Sequence, residues 1–340
     1  MLELHVVRLA SEKYDLLSLD PESLVAASFL QLLKPGEWQV VPGDAFLSPD
    51  GELPYLKDGS ERFTSSNILP HLLRSSSSKL SRVDLAQSRA LHSLLDTTLL
   101  PLVLHSLYSL PTNWTFIRPL VASALPFPSK LYRPEQLRQS SKYIVDATHP
   151  DWWGLGGEAE KEEEEERRRR KAMLETGAEG WKERKDEERK EGKQRIKKAF
   201  GETKIACEAR EVFLTFESAL AASSTPYFLS SPEPTPLDAH LSALLSVVLF
   251  LPLPNPLLSD LVNASFPRLW SHANLLRRSL WAERPRPTLA PPITSSLSST
   301  FADFVPSSPW DSWSSQGGTV RGSEKNKKKT KKEEEFERKR

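Results

Sequence analysis

The stretch Ser18-Leu-Asp-Pro-Glu-Ser-Leu-Val-Ala-Ala-Ser-Phe-Leu-Gln-Leu-Leu33 predicts a buried helix that the rest of the chain must enclose. Asp20 is a good N-cap, because its carboxylate accepts hydrogen bonds from the free backbone N–H groups of the first turn. Pro21 suits the first helical position, where no N–H group is needed. Beyond the cap almost no polar face remains, which is typical of a helix buried on most sides. The helix is too short to cross a bilayer, which takes about 20 residues.

The segments around this helix predict a small mixed β-sheet. Short strands are expected at residues 2–6, 38–41, 53–56 and 61–64, followed by a second helix that Ser65 or Ser66 caps. A helix between the first two strands implies a right-handed crossover and parallel pairing of those strands. The expected result is a four-stranded mixed sheet with helices packed on it. Pro54 precedes the third strand and resembles the cis-proline of thioredoxin-like domains, so residues 1–75 are predicted to form a thioredoxin-like α/β domain.

The remaining apolar sequence follows helical periodicity. Residues 83–104 predict a long helix or a pair of helices, with Pro101 as a kink. After a charged segment the helical repeat returns. Thr235-Pro-Leu-Asp238 then forms a predicted capping box, which opens a second helix that is apolar on nearly all sides. Residues 82–149 and 203–281 are therefore predicted to form one all-helical C-terminal domain.

Two segments do not fit this pattern of buried helices. Residues 150–202 contain nearly equal numbers of acidic and basic side chains without an apolar stripe, which predicts a charged insert, either helical or disordered. Because the charges nearly cancel, we expect no nucleic-acid partner. Residues 282–340 are rich in Pro and Ser and end in a lysine cluster at 325–332, which predicts a disordered tail. These lysines would be attracted to an anionic membrane surface, which is therefore a second kind of partner to consider.

Composition limits the chemistry of the chain. The single cysteine, Cys207, excludes an internal disulfide framework and a cysteine-based zinc site. The seven histidines lack metal-ligand spacing. We therefore predict no catalytic, cofactor-binding or metal-binding residues and no cofactor. The N-terminus resembles neither a secretory signal nor a mitochondrial presequence. The longest apolar run, residues 241–253, is short and broken by proline, so no membrane-spanning helix is expected.

Three stretches resemble the metaxin family, which includes subunits of the fungal mitochondrial sorting and assembly machinery. They are Ser18-Leu-Asp-Pro-Glu-Ser-Leu24, Leu237-Asp-Ala239 with Leu251-Pro-Leu-Pro254, and Phe266-Pro-Arg-Leu-Trp-Ser-His272. The predicted two-part layout is similar to that of glutathione transferases, and the box at Thr235 resembles the one that opens the buried sixth helix of that fold. The resemblance covers residues 1–148 and 203–281.

The resemblance implies a non-enzymatic role on the cytosolic face of the mitochondrial outer membrane. Metaxin-like proteins help to bring β-barrel precursors to the insertase and support assembly of the machinery. The implied partners are therefore the β-barrel insertase, other metaxin-like subunits and β-barrel precursor proteins. Many fungal members are held at the membrane by partners or by a C-terminal hydrophobic segment, and we expect no such segment here.

The alternative function is that of an active glutathione transferase. Such an enzyme needs a Tyr, Ser or Cys at the first strand–helix junction to stabilise the glutathione thiolate, and Tyr14 and Ser18 are of the right type. At the start of the later helix, transferases usually present an acidic residue or Gln followed by Ser. The matching stretch here, Thr64-Ser-Ser-Asn67, retains only the Ser. We expect Ser65 and Ser66 to act as helix caps, and we predict that the chain is not an enzyme.

Overall fold

A computed structural model of the chain describes residues 1–7, 14–43, 47–74, 81–123, 125, 127, 129–157 and 181–290. These residues belong to one compact unit, Met1–Pro292. Within that unit the division into a thioredoxin-like domain and an all-helical domain stays a prediction. Most of the predicted tail and the centre of the charged insert lie outside the described residues.

The N-terminal β-sheet combines parallel and antiparallel pairs. Its strands are β1 (Leu2–Val6), β2 (Trp38–Pro42), β3 (Tyr55–Asp58), β4 (Glu61–Thr64) and β5 (Thr288–Leu289). Their order across the sheet is β4-β3-β1-β2-β5. β1 pairs parallel with β2, with Leu4 opposite Val40, and antiparallel with β3. The peptide bond between Leu53 and Pro54 is cis. The predicted mixed sheet is confirmed, but it has a fifth strand that the sequence analysis assigned to the tail.

Helix α1 (Pro21–Leu33) begins as predicted. The Asp20 carboxylate accepts hydrogen bonds from the backbone N–H of Ser23 at 2.9 Å and from its hydroxyl at 2.5 Å. Apolar side chains of α1 then join those of β1, β2 and β3 in one buried cluster, which includes Leu30, Val40 and Leu56. The helix is therefore enclosed between the sheet and the helical part of the chain.

Gln31 connects α1 to the sheet and to the C-terminal segment. Its Nε2 donates hydrogen bonds to the carbonyl oxygens of Leu280 and Pro285, both at 2.9 Å. Its Oε1 accepts a hydrogen bond from the Trp38 indole N–H at 3.2 Å. The Arg284 guanidinium also donates to the Gln31 carbonyl at 3.0 Å. These contacts correct the prediction that disorder begins at residue 282, because the described chain is held against α1 and then pairs as β5.

The helical part of the chain follows the sheet. Its helices are α2 (Ser65–Arg74), α3 (Arg82–Leu94), α4 (Leu100–Leu104), α5 (Pro111–Ser123), α6 (Ser129–Thr148), α7 (Trp181–Ala222), α8 (Pro236–Phe250), α9 (Leu257–Ser265) and α10 (Pro267–Arg277). A π turn, Leu95–Leu99, joins α3 to α4, and a second one, His105–Ser109, follows α4. Pro101 lies in the first turn of α4, just after the first π turn. At Pro101, where the sequence predicts a kink, the chain has therefore just changed from π-helical to α-helical geometry.

The continuous helical stretch Arg82–Ser109 bears on membrane insertion. Among the described residues, it is the helix that length and composition would allow to cross a membrane. Length and composition are weak evidence for a span, because the core helix of a soluble protein can share both. In this chain 56 % of the apolar window is buried inside the protein.

Helix α8 begins with the predicted capping box, which extends to two further elements. The Asp238 carboxylate accepts from the backbone N–H of Thr235 at 2.7 Å, and the Thr235 hydroxyl accepts from the backbone N–H of Asp238 at 3.4 Å. The same carboxylate accepts from the backbone N–H of Phe228 at 3.0 Å and from Nε2 of His272 at 2.8 Å. Asp238 is completely buried. Because His272 belongs to α10, its hydrogen bond to Asp238 also joins α8 to α10. The two predicted buried helices, α1 and α8, pack against each other.

Candidate functional site

The hydroxyl groups at the β1–α1 junction bear directly on the transferase alternative. Ser18 is completely buried. Its hydroxyl donates a hydrogen bond to the Val7 carbonyl and accepts one from the backbone N–H of Asp20 at 3.1 Å. Tyr14 is partly buried and packs edge-on against Phe116 of α5, with 6.4 Å between ring centroids. Ser18 therefore fixes the chain where it enters α1, which gives its hydroxyl a structural role.

The second predicted group of hydroxyls lies at the start of α2. This helix begins at Ser65, so Ser65 and Ser66 lie in its first turn, and the residue that precedes the helix is Thr64. The Thr64 hydroxyl accepts a hydrogen bond from Nδ2 of Asn67 at 2.9 Å and lies 3.3 Å from the Ser66 hydroxyl. The expectation that Ser65 or Ser66 precedes and caps the helix is wrong by one or two residues. These hydroxyls form a local network of their own at the surface.

Carboxylates surround the beginning of α1. Burial and, after it, the nearby carboxylates of Asp20, Glu52 and Asp96 together raise the pKa of Glu22 to about 8. Burial also raises the pKa of Asp20, against the opposing effect of its hydrogen bonds from Ser23. Negative charge is therefore unfavourable at this place, first through lost hydration and then through repulsion by the neighbouring carboxylates. An anionic ligand or thiolate placed there would meet the same two costs.

Two histidines meet beside this carboxylate group. Nδ1 of His92, on α3, lies 3.0 Å from Nδ1 of His240, on α8, and the Phe29 ring of α1 contacts both imidazoles edge-on. Burial lowers the pKa of His92 to about 4 and that of His240 to about 3, so both rings are neutral near pH 7. One ring nitrogen must donate and the other accept. Nε2 of His240 also lies 3.5 Å from the Asp96 carboxylate.

This histidine pair is a structural joint of three helices. The sequence does not reveal it, because the two residues are far apart in the chain and carry no local spacing signal. Among the residues that the structure describes, no cluster of three or more His, Cys, Asp or Glu side chains is arranged to hold a metal ion. The pair is therefore explained by its hydrogen bond and its packing on Phe29.

A small cleft lies where the π turn that follows α4 meets α7 and the start of α9. It is lined by residues that include His105, Leu155, Glu202, Asn255 and Leu258. Its enclosed space is comparable to that of a single water molecule. His105 is hydrogen-bonded there, with Nε2 3.1 Å from the Leu155 carbonyl oxygen. The cleft is too small for a peptide or for glutathione.

Helix α7 has two faces of different character. The apolar stripe that forms the returning helical repeat, which includes Ile205, Phe213 and Phe216, is buried in the helical core. The opposite face exposes Phe200, Cys207 and Leu214, spaced seven residues apart. The helical repeat in the sequence predicts the buried stripe but not which residues the other face exposes. The exposed face is available for contact with another protein.

The strand order and the helices that follow define the class of fold. A parallel β1–α1–β2 unit, an antiparallel β3–β4 hairpin entered through a cis-proline, and a helical region packed against α1 make a glutathione-transferase-like frame. Among solved structures, the chain is similar to human glutathione S-transferase T1-1 in its apo form, with 14 % sequence identity and a TM-score of 0.34. This alignment covers 90 % of the present chain and 100 % of the transferase. No curated protein sequence matches the chain.

Residues 23–138 match the family model Tom37, described as an outer mitochondrial membrane transport complex protein. The match confirms the predicted metaxin-like resemblance and indicates a component of an outer mitochondrial membrane transport complex. It includes α1, β2 to β4 and the helices as far as α6. The second and third stretches that carried the resemblance, at residues 237–254 and 266–272, lie beyond the matched residues and stay predictions.

Proposed function

We propose that this chain is a non-enzymatic subunit of the mitochondrial sorting and assembly machinery, acting on the cytosolic face of the outer membrane. Its task would be to support the insertion of β-barrel precursors. Its partners would be the β-barrel insertase, other metaxin-like subunits and the precursors themselves. The observation that carries this proposal is the family match over residues 23–138, which falls on most of α1, on β2 to β4 and on the helices from α2 into α6.

The chemistry at the beginning of α1 supports a role without catalysis. A transferase of this fold must stabilise the glutathione thiolate at the first strand–helix junction. In this chain the Ser18 hydroxyl is bonded to backbone groups on both sides. The desolvation and the acidic neighbours that raise the pKa of the partly buried Glu22 also oppose negative charge there. Both features favour a frame that has kept its shape for binding other proteins.

Import into isolated mitochondria tests the proposed function. Mitochondria from cells that lack the protein should assemble a labelled β-barrel precursor more slowly than normal. They should import a matrix-targeted precursor at the normal rate, which serves as the control. Re-expression of the full chain should restore β-barrel assembly. Equal assembly rates with and without the protein, at equal insertase levels, would reject the proposal.

Binding to immobilised glutathione tests the transferase alternative. The proposed function predicts that the purified chain passes through a glutathione resin and shows no conjugating activity with a general electrophile. An active transferase would be retained, and its retention would fall on Tyr14→Phe or Ser66→Ala. Retention with that sensitivity would establish the alternative in place of our proposal.

A further inference from the structure

The connection between α5 and α6 forms an exposed tip that combines apolar and basic side chains. The side chains of this α5–α6 tip are Phe127, Lys130, Leu131, Tyr132 and Arg133. Phe127 is 71 % exposed, Leu131 65 % and Tyr132 43 %. Large apolar side chains that cluster at the surface mark interaction sites more often than isolated ones do.

The exposure of these side chains is not explained by the way α6 packs. Leu125, in the same connection, contacts the helical core, as do Leu137 and Ile144 of α6. The core-facing side of the connection and of the helix is therefore already occupied. Phe127 and Leu131 lie outside that set, where they add nothing to the buried core.

The charge around the tip is mainly positive. Residues 117–138 contain Arg118, Lys130, Arg133 and Arg138 against one carboxylate, Glu135, which lies 4.0 Å from the Arg138 guanidinium. Nζ of Lys130 lies 6.0 Å from the centroid of the Phe127 ring, and Cζ of Arg133 lies 5.7 Å from that of Tyr132. Each basic group is thus placed beside an aromatic ring of the tip. Such pairs are typical of elements that lie at the boundary between lipid headgroups and acyl chains.

We propose that the α5–α6 tip docks onto an anionic lipid surface. Phe127 and Leu131 enter the headgroup boundary, while Lys130 and Arg133 stay at the level of the lipid phosphates. The excess of basic over acidic side chains around the tip complements anionic lipid and selects this occupant over a neutral membrane. This inference rests on the proposed function in one respect: the proposed function identifies the membrane as the mitochondrial outer membrane. The physical binding can be measured with purified components.

Flotation with vesicles tests the docking surface. The full chain is mixed with phosphatidylcholine vesicles, or with the same vesicles containing about a fifth of phosphatidylinositol as the anionic lipid. We expect the chain to float with the anionic vesicles, less with the neutral ones, and to dissociate as salt is raised. The double variant Phe127→Ser/Leu131→Ser should bind the anionic vesicles at least tenfold more weakly. The variant Lys130→Gln/Arg133→Gln should lose the preference for anionic lipid.

Two control variants show whether lipid binding is specific to the tip. Tyr143→Ser changes a side chain of α6 that is 77 % exposed but lies outside the tip, and it should leave binding unchanged. Lys327→Gln/Lys328→Gln/Lys329→Gln neutralises part of the lysine-rich tail and should weaken binding less than the tip variants do. The thermal unfolding midpoint of each variant should match that of the parent, because Phe127, Lys130 and Leu131 are exposed and Arg133, which donates to the Gln136 side chain at 3.0 Å, lies outside the buried core.

The outcomes separate this inference from the proposed function. Loss of flotation in the tip variants alone supports lipid docking. Equal flotation of the tip variants and the parent chain, or loss caused only by the tail variant, overturns it. If the tip variants float normally but no longer co-purify with an outer-membrane protein, the tip binds protein instead of lipid, and lipid docking is rejected. None of these results depends on whether the chain serves β-barrel assembly.

Discussion

Replacing Asp238 by Ala should destabilise the protein far more than removing an ordinary helix cap. The carboxylate is completely buried and accepts hydrogen bonds from Thr235, Phe228 and His272. Truncation removes both carboxylate oxygens and leaves the buried donors of these three residues unpaired. Each donor that finds no substitute acceptor costs about 1–3 kcal/mol. We therefore expect a loss of about 3–5 kcal/mol, a large part of the ~5–15 kcal/mol that stabilises a typical domain.

Urea unfolding followed by tryptophan fluorescence and by circular dichroism measures this loss. The matched control is Asp84→Ala, because Asp84 and Ser81 form a similar capping arrangement at the exposed beginning of α3, with the Ser81 hydroxyl 2.7 Å from the Asp84 carboxylate. The control should cost about 1 kcal/mol. Asp238→Asn keeps one acceptor oxygen and should fall between the two. If Asp238→Ala and Asp84→Ala cost the same within about 1 kcal/mol, the buried network around α8 does not contribute what the hydrogen bonds imply.

Two further predictions concern the contacts of α1. The pKa of Glu22 is raised to about 8, so the folded state binds its proton more tightly than the unfolded chain, where the pKa is 4.5. The resulting stabilisation is complete below the unfolded value and is lost as the pH rises through the folded one. Glu22→Gln should therefore raise the urea midpoint relative to the parent above about pH 8 and change it little near pH 5, whereas Glu37→Gln, on the surface, should change neither. A pH-independent difference would contradict this assignment. Separately, Gln31→Leu leaves the buried indole N–H of Trp38 without its acceptor and should cost about 2 kcal/mol. It should also speed proteolytic cleavage after residue 284, with Gln39→Ala as the control. Cleavage of Gln31→Leu as slow as that of the control would show that Gln31 does not hold the C-terminal segment against α1.

The sequence predicts the local starts of the buried helices well. Asp20 and Pro21 at α1, and Thr235, Pro236 and Asp238 at α8, act within a few residues of one another, so their chemistry is visible in the sequence. The predicted order of strands follows in the same way from short apolar runs and turns. The cis-proline at residue 54 could be predicted because its position in that order has a known counterpart.

The features that the sequence does not reveal depend on contacts between distant residues. Gln31 looks like an isolated polar residue in an apolar helix until its partners around residues 280–285 are brought beside it. The pairing of His92 with His240 likewise depends on how α3 and α8 pack. Thr288 and Leu289 have no strand signal of their own, since two residues are too few to establish an alternating pattern, and only the free edge of β2 makes them a strand. The exposed α5–α6 tip was similarly hidden, because an apolar residue in the sequence does not show whether it is buried.

Affinity purification of the tagged full chain from mild detergent extracts of mitochondria tests the central claim most directly. The account predicts that the β-barrel insertase of the outer membrane is recovered in stable proportion to the tagged chain. An unrelated outer-membrane β-barrel of similar abundance should be absent from the eluate. Recovery of the chain without the insertase, under conditions in which the insertase stays bound to its other subunits, would contradict the account.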